Sequence, residues 1–311
     1  MSNKSANTIE SFAIWGKTSD NHPLQCDAHI NMFLPIRTNI DFPSIDIGLR
    51  IYDCHQVESI GIFIPFNLPT NNGFTDLSYK FSEEKIVRGI FNTNFIYKSP
   101  NDSPNIQIDF SNNRSTEIIP VDFNAISISK EDFGISLEIP ICSKLNYNTV
   151  KYGYIIFRTP YAVFPQFLEN NKIITQSTLE SPIQKTRYLF SFKLNDLRTL
   201  PLRIRAKIGK SNIKLKYFLS ISSQIDVTCT HLHKIRKMEY DLFKDFLPPN
   251  MDHSNVIVYH CICKPNETKD IEITLEKKQL NYKTIIAYSI IIIALNTVSC
   301  LFYDLLKFIF T

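Results

Sequence analysis

Asp46-Ile47-Gly48-Leu49-Arg50-Ile51-Tyr52 alternates aliphatic with other side chains at every second position. Side chains in a strand point alternately to opposite faces, so Ile47, Leu49 and Ile51 predict the apolar face of a β-strand. Ser59 to Phe66 is another strand-like run, with Pro65 marking an edge or an end. Ile106-Gln107-Ile108-Asp109-Phe110, Ala125-Ile126-Ser127-Ile128-Ser129 and Ile135-Ser136-Leu137-Glu138-Ile139 repeat the alternation. Tyr152 to Val163 is longer and more apolar, which suits a central strand. Val256 to Ile262 reads as a strand, and Asp270 to Leu275 alternates into another. Asn71-Asn72-Gly73 is a turn signal. A short helix is expected over Ser82 to Phe91, with Ser82 as N-cap and Glu83, Glu84 and Lys85 in its first turns. No helical period is sustained between Ala28 and Val163. The fold expected is mainly β, a sandwich or barrel-like cytosolic region with one or two short helices.

Glycine is scarce. The eight glycines are never closer than twelve residues apart, whereas a phosphate-cradling loop needs several close together. A P-loop and a dinucleotide fingerprint are excluded, and no G-x-S-x-G, H-E-x-x-H or C-x-x-C occurs. The first 21 residues are polar and include Glu10 and Asp20, so no signal peptide is expected. Seven scattered cysteines then fit free thiols in a reducing compartment.

Charge is distributed unevenly. Lys185 to Lys237 holds thirteen basic residues against Asp196 and Asp226, a local +11 in a chain of net +4. Within it, Leu202 to Tyr217 reads as a hairpin turning at Gly209 to Asn212. Arg203, Arg205 and Lys207 would share one face of its first strand, opposite Leu202, Ile204, Ala206 and Ile208. Lys214 and Lys216 would share a face of its second, opposite Ile213, Leu215 and Tyr217. Like charges on one sheet face repel, and such a group suits an anionic partner. With Lys210, and with Lys234, Arg236 and Lys237 from an expected amphipathic helix over His231 to Leu247, these residues form the candidate ligand-binding set. Arginine gives bidentate phosphate contacts, and Tyr188, Tyr217 and Phe218 offer rings for stacking on bases. Lipid headgroups are the other anionic candidate, and a solvated edge strand is the plain structural alternative.

Thr284 to Tyr303 carries no formal charge over twenty residues. At about 1.5 Å per residue a helix of that length covers roughly 30 Å, the thickness of a bilayer core. Lys277, Lys278 and Lys283 precede it, against Asp304 and Lys307 beyond it, which places the bulk of the chain in the cytoplasm. The expected plan is a polar segment over 1–27, a β-rich region over 28–183 and a basic hairpin and helix region over 184–275, either a domain of its own or the completion of the first sheet. A linker over 276–283, a single-pass span over 284–303 and a short tail over 304–311 complete it. Ser289, Asn296 and Tyr303 recur every seven residues, with Ser299 and Cys300 beside them. An amide near the midplane is costly alone, so this stripe is the expected surface for self-association in the membrane.

No catalytic, metal or cofactor site is expected. His231-x-His233 supplies too few ligands, and Cys261-x-Cys263 beside His260 lacks a second ligand pair. In Asp53-Cys54-His55, neighbouring strand residues would point to opposite faces.

This domain plan, a cytosolic sensing region joined to a membrane helix, resembles the membrane effectors of bacterial antiphage systems of the CBASS and Hailong types. The resemblance covers the plan alone and carries over no functional residue. It implies a homo-oligomer that responds to a nucleotide or oligonucleotide made by a partner enzyme and gates membrane damage or ion flow. Two alternatives stand beside it: a non-enzymatic adaptor anchored at the membrane, and a membrane-bound hydrolase using the histidines of the basic surface.

Overall fold

The structure, a computed structural model, describes residues 11–19, 22–34, 44–66, 73–91, 95–98, 106–110, 114–131, 134–141, 151–159, 172–175, 183–209, 211–244, 246–247, 255–265, 267–280 and 282–310. In chain order the strands are β1 (Ala13–Thr18), β2 (Leu24–Leu34), β3 (Ser44–Tyr52), β4 (Val57–Ile64), β5 (Thr75–Asp76) and β6 (Phe95–Lys98). Then come β7 (Ile106–Phe110), β8 (Arg114–Ile118), β9 (Ser127–Glu131), β10 (Gly134–Pro140), β11 (Tyr152–Arg158) and β12 (Lys172–Thr175). The last six are β13 (Ile183–Lys193), β14 (Ser211–Ser222), β15 (Ile225–Cys229), β16 (Leu232–Lys237), β17 (Val256–Cys263) and β18 (Asp270–Leu280). The α-helices are α1 (Glu84–Phe91), α2 (Leu202–Lys207), α3 (Tyr240–Phe243) and α4 (Tyr282–Phe310).

The mainly β expectation holds. A ten-stranded sheet in the order β16-β17-β14-β2-β3-β11-β8-β7-β6, with β5 on β11, forms one layer. Two four-stranded sheets, β1-β4-β10-β9 and β12-β13-β18-β15, supply the other side of the core. They meet at a bridge between Phe12 and Leu194, where the Asn195 side chain both accepts from Ile14 N and donates to Ile14 O. Ile47, Leu49 and Ile51 of β3 face this core together with Ile62 of β4, Leu137 of β10 and Ile273 of β18. The period-two reading of β3 is therefore right about that face.

The opposite face of the large sheet is covered at β7, β8 and β11. Leu77, Phe81, Ile86 and Val87 pack on Ile108, Ile118, Tyr154 and Ile156 in a second apolar cluster. Ile86, Val87 and Ile90 are the inward residues of α1. On its outer side the exposed Glu84–Arg88 pair at 2.6 Å adds little. Beside the cluster, Asp46 accepts from Arg158 Nε and Nη2 at 2.6 and 2.8 Å, and both residues are buried.

Several boundaries differ from the sequence reading. The 202–217 hairpin is absent. Leu202–Lys207 is a helix that starts after Pro201. Leu200, Ile204 and Ile208, at helical spacing, pack against Ala13, Trp15 and Phe63, while Leu202 is 78% exposed. The sequence carries both periods, and contact with Trp15 selects the helical one. Ser211 and Asn212 belong to β14 rather than to a turn. No helix runs from His231 to Leu247. His231 has φ 56 and turns the chain, Leu232–Lys237 pairs with β17, and α3 is one short turn. Strand pairing along β17 outweighs local helical preference there.

β1 and part of β2 lie inside the segment read as polar, 1–27. Residues 276–280, read as linker, continue β18 and pair with β13 up to Leu280–Ile183. The strand begun at Tyr152 ends at Arg158, and residues 160–163 lie outside the described ones. Asn71 and Asn72 lie outside them too, while Gly73 has φ 126, which glycine tolerates. Of the two placements open for the basic region, the structure has the one that completes the large sheet. β14 lies between β17 and β2, paired in parallel with β2 from Ser211–Leu24 to Ile221–Leu34.

Gly61 on β4 sits directly opposite Trp15 on β1, and a Cβ there would fall inside the indole. Gly61→Ala must displace a buried ring and is expected to cost about 1–3 kcal/mol. A lowered urea midpoint measures it; an unchanged midpoint would show that the indole does not rest on Gly61.

Candidate functional site

The face of the large sheet that points away from the main core is polar between the cluster under α1 and a smaller apolar cluster of Phe33, Leu247 and Val256. Three strands supply it at period two: Asp27, His29 and Asn31 from β2, Asp46, Gly48 and Arg50 from β3, Lys214, Lys216 and Phe218 from β14. Register places them in cross-strand rows. Lys214 pairs with Asp27, which pairs with Arg50. Lys216 pairs with His29, which pairs with Gly48. Lys234 pairs with His260, which pairs with Phe218. Arg236 extends this face one row further, opposite Val258.

At its centre Lys216 Nζ stands 3.4 Å from Asp27 Oδ2 and 3.2 Å from His29 Nε2. An ammonium only donates, so His29 Nε2 accepts and Nδ1 carries the proton toward Tyr154 Oη at 3.4 Å. Gly48 makes this reach possible, because a Cβ there would overlap the Tyr154 hydroxyl. Burial, and then the charges of Lys216 and Arg50, hold the His29 imidazole well below the usual histidine value. Burial also lowers the Lys216 ammonium, against the pull of Asp27. The Tyr52 phenol is pushed up to about 12 by burial and by Asp27. His29 is thus neutral, buried and engaged at both ring nitrogens.

Toward the sheet edge the Phe218 and His260 rings stack, centroids 4.3 Å apart and 10° from parallel. His233 meets His260 edge-on at 5.4 Å. Burial, with His233 and Arg236 next, pulls His260 down to about 4, so it is neutral at pH 7. Its Nε2 is buried and makes no hydrogen bond among the described residues, and neither does Arg50 Nε. The Arg50 guanidinium lies 5.2, 5.5 and 5.8 Å from the rings of Phe110, Tyr152 and Phe91. The face therefore combines five basic side chains, Arg50, Lys214, Lys216, Lys234 and Arg236, with Asp27 and a half-buried aromatic stack. Such a surface can neutralise phosphates and offer a ring to a base.

The sequence-derived basic set is divided by the fold. Lys214, Lys216, Lys234 and Arg236 come together on this face. Lys237 pairs with Ile257 and points to the other side. Arg203, Arg205 and Lys207 sit on α2, over the β1-β4-β10-β9 sheet. There Arg205 donates to the carbonyls of Leu200 and Arg198, and Lys207 lies 5.4 Å from the Trp15 ring. Lys210 lies outside the described residues. Tyr188 and Tyr217 are buried in the main core and cannot stack on a ligand, whereas Phe218 can. No protein-family model matches the chain, and no curated protein matches its sequence.

The other weighed groups take ordinary places. Cys261 and Cys263 point into the core while His260 points outward. Cys54 is buried in a turn that begins at Asp53, φ 48, with His55 exposed. No cluster of three potential metal ligands occurs among the described residues.

α4 contains a span, Ile285–Tyr303, long and apolar enough to cross a membrane, with mean hydropathy 2.3 and none of it buried against the β fold. The Ser289, Thr297 and Ser299 hydroxyls donate to carbonyls four residues back, at 3.0, 2.9 and 2.8 Å. The Asn296 amide has no partner of this kind among the described residues. Seven residues bring a helix back within about 20° of its start, so Ser289, Asn296 and Tyr303 share one side.

Proposed function

We propose that the protein is a single-pass membrane effector that binds an anionic ligand, a nucleotide or short oligonucleotide, on the outer face of its large sheet. The observation that carries this is the grouping of Lys214, Lys216, Lys234 and Arg236 beside the Phe218–His260 stack. The bulk of the chain is cytoplasmic, a partner enzyme supplies the ligand, and copies associate through the Asn296 side of α4. Ligand state then controls that membrane assembly or its pore, as in antiphage defence. The protein is not an enzyme in this proposal: His29 is engaged at both ring nitrogens, and the proposed role of the face is to bind a ligand. An adaptor role has one observation in its favour: β16 is an edge strand with Leu232 and Ile235 43% and 51% exposed, open to pairing with a partner strand.

The test is binding to single-stranded oligonucleotides and to cyclic dinucleotides, read by fluorescence anisotropy. Four phosphate contacts give a salt slope of about −2.8, so oligonucleotide affinity falls about fifty-fold between about 50 and about 200 mM salt. Changing Lys214, Lys216, Lys234 and Arg236 together to Ser should remove that binding, and changing Arg203, Arg205 and Lys207 should leave it. Equal affinity in the first variant and the wild type rules the face out and favours the adaptor.

A further inference from the structure

Cys229 ends β15 and Cys261 lies in β17, so they belong to different sheets on the two sides of the core. Their sulfur atoms are 3.3 Å apart, 32 residues apart in sequence. No other pair among the described cysteines is hydrogen-bonded sulfur to sulfur. Cys229 is paired through β15 with Ile273 of β18, the strand that leads to α4. Cys261 follows His260 of the polar face. We infer that Cys229 and Cys261 form a site of reversible oxidation, closing to a disulfide when the protein meets a hydroperoxide.

The geometry assigns the roles. Cys229 is half-buried on an edge strand, where a small peroxide reaches it, and Cys261 is buried behind it. The Cys261 S–H donates to the Cys229 sulfur, which favours the Cys229 thiolate and holds the Cys261 thiol up. The Cys229 thiolate attacks one peroxide oxygen, the O–O bond breaks, and the hydroxide released takes up a proton. Cys229 is then a sulfenic acid. The Cys261 sulfur attacks the Cys229 sulfur, the S–O bond breaks, and the Cys261 proton leaves with that oxygen as water. Two thiols and one hydrogen peroxide give one disulfide and two waters, and a dithiol reverses the change. The product fastens β17, which carries part of the polar face, to the strand pair that runs to the span.

The experiment treats the full chain in detergent with hydrogen peroxide, alkylates it under denaturing conditions and maps its peptides. Alkylatable thiols should fall from the seven of the sequence to five, with one cross-linked peptide joining Cys229 and Cys261. Dithiothreitol should restore all seven. Cys229→Ser should abolish the cross-link, while Cys263→Ser keeps it. Cys229 and Cys261 both still alkylated after peroxide would overturn the inference. So would Cys229 appearing as sulfinic acid beside a free Cys261, or joined to a different cysteine. The wild-type peptide map decides even if a variant fails to fold.

Discussion

Asp46→Ala is expected to lower folding stability by about 3–5 kcal/mol, a fall in the folded-to-unfolded ratio of two to four powers of ten. Asp46 is fully buried, and it holds the Arg158 guanidinium through two charge-assisted hydrogen bonds. Arg158 also donates to the Phe246 carbonyl, and its guanidinium carbon is 5.5 Å from the Phe33 ring. Burial pushes the Asp46 carboxyl up while Arg158 pulls it down. Removing the carboxylate leaves a buried cation facing a cavity, which costs more than the pair contributes when both partners are present. Asp46→Asn keeps the shape and should fall in between. Urea unfolding of the two variants measures the effect. A midpoint for Asp46→Ala equal to that of the wild type would show that the pair does not bear on this part of the core.

Deleting the chain beyond Leu280 is expected to move the protein from the membrane fraction to the supernatant. Ile285 to Tyr303 contains ten Ile, Leu, Val and Phe residues. At about 0.3–0.6 kcal/mol each on insertion they contribute roughly 3–6 kcal/mol before the smaller opposing terms of Asn, Ser and Thr. The cut belongs after Leu280 because an earlier one, after Glu276, removes residues that pair with β13. Alkaline washing of membranes from cells making each form separates the two. A truncated chain that still pellets would mean that the β fold itself holds the membrane. If copies of the full chain associate through α4 as proposed, Asn296→Leu should shift the detergent-solubilised particle toward smaller species, by loss of a contact worth about 0.6–2 kcal/mol per helix pair. An unchanged particle mass would remove Asn296 from the assembly.

The strands that showed in the sequence are those whose neighbours agree with their own pattern. Ile47, Leu49 and Ile51 sit at period two and meet a core on that side. What stayed hidden depends on partners distant in sequence. Ile204 satisfies both a strand and a helical period, and packing with Ala13, Trp15 and Phe63, all more than 140 residues away, decides between them. Lys234 and Arg236 read as basic residues of a helix in the sequence alone; pairing with β17 turns them onto the face of Lys214 and Lys216. Asp27, His29 and Arg50 of the candidate face are not singled out by the sequence, although Asp27-x-His29-x-Asn31 and Lys214-x-Lys216-x-Phe218 carry the same polar alternation. That β2 and β14 lie side by side follows from a parallel pairing between residues 187 apart in the sequence, which no local signal announces.

One residue, Asn281, separates the last pair of β18 from the first residue of α4. A residue spans at most about 3.6 Å, so the mouth of the helix stays at the rim of the β fold. Helices packed side by side stand about 8–10 Å apart. A folded unit of about 280 residues has a radius of gyration of about 19 Å. Copies that meet through their helices must therefore splay their β domains outward, and each added copy meets a rising steric ceiling above the bilayer. In the proposed assembly the girth of the β domain, as much as the helix itself, would limit how many copies can converge on one point in the membrane.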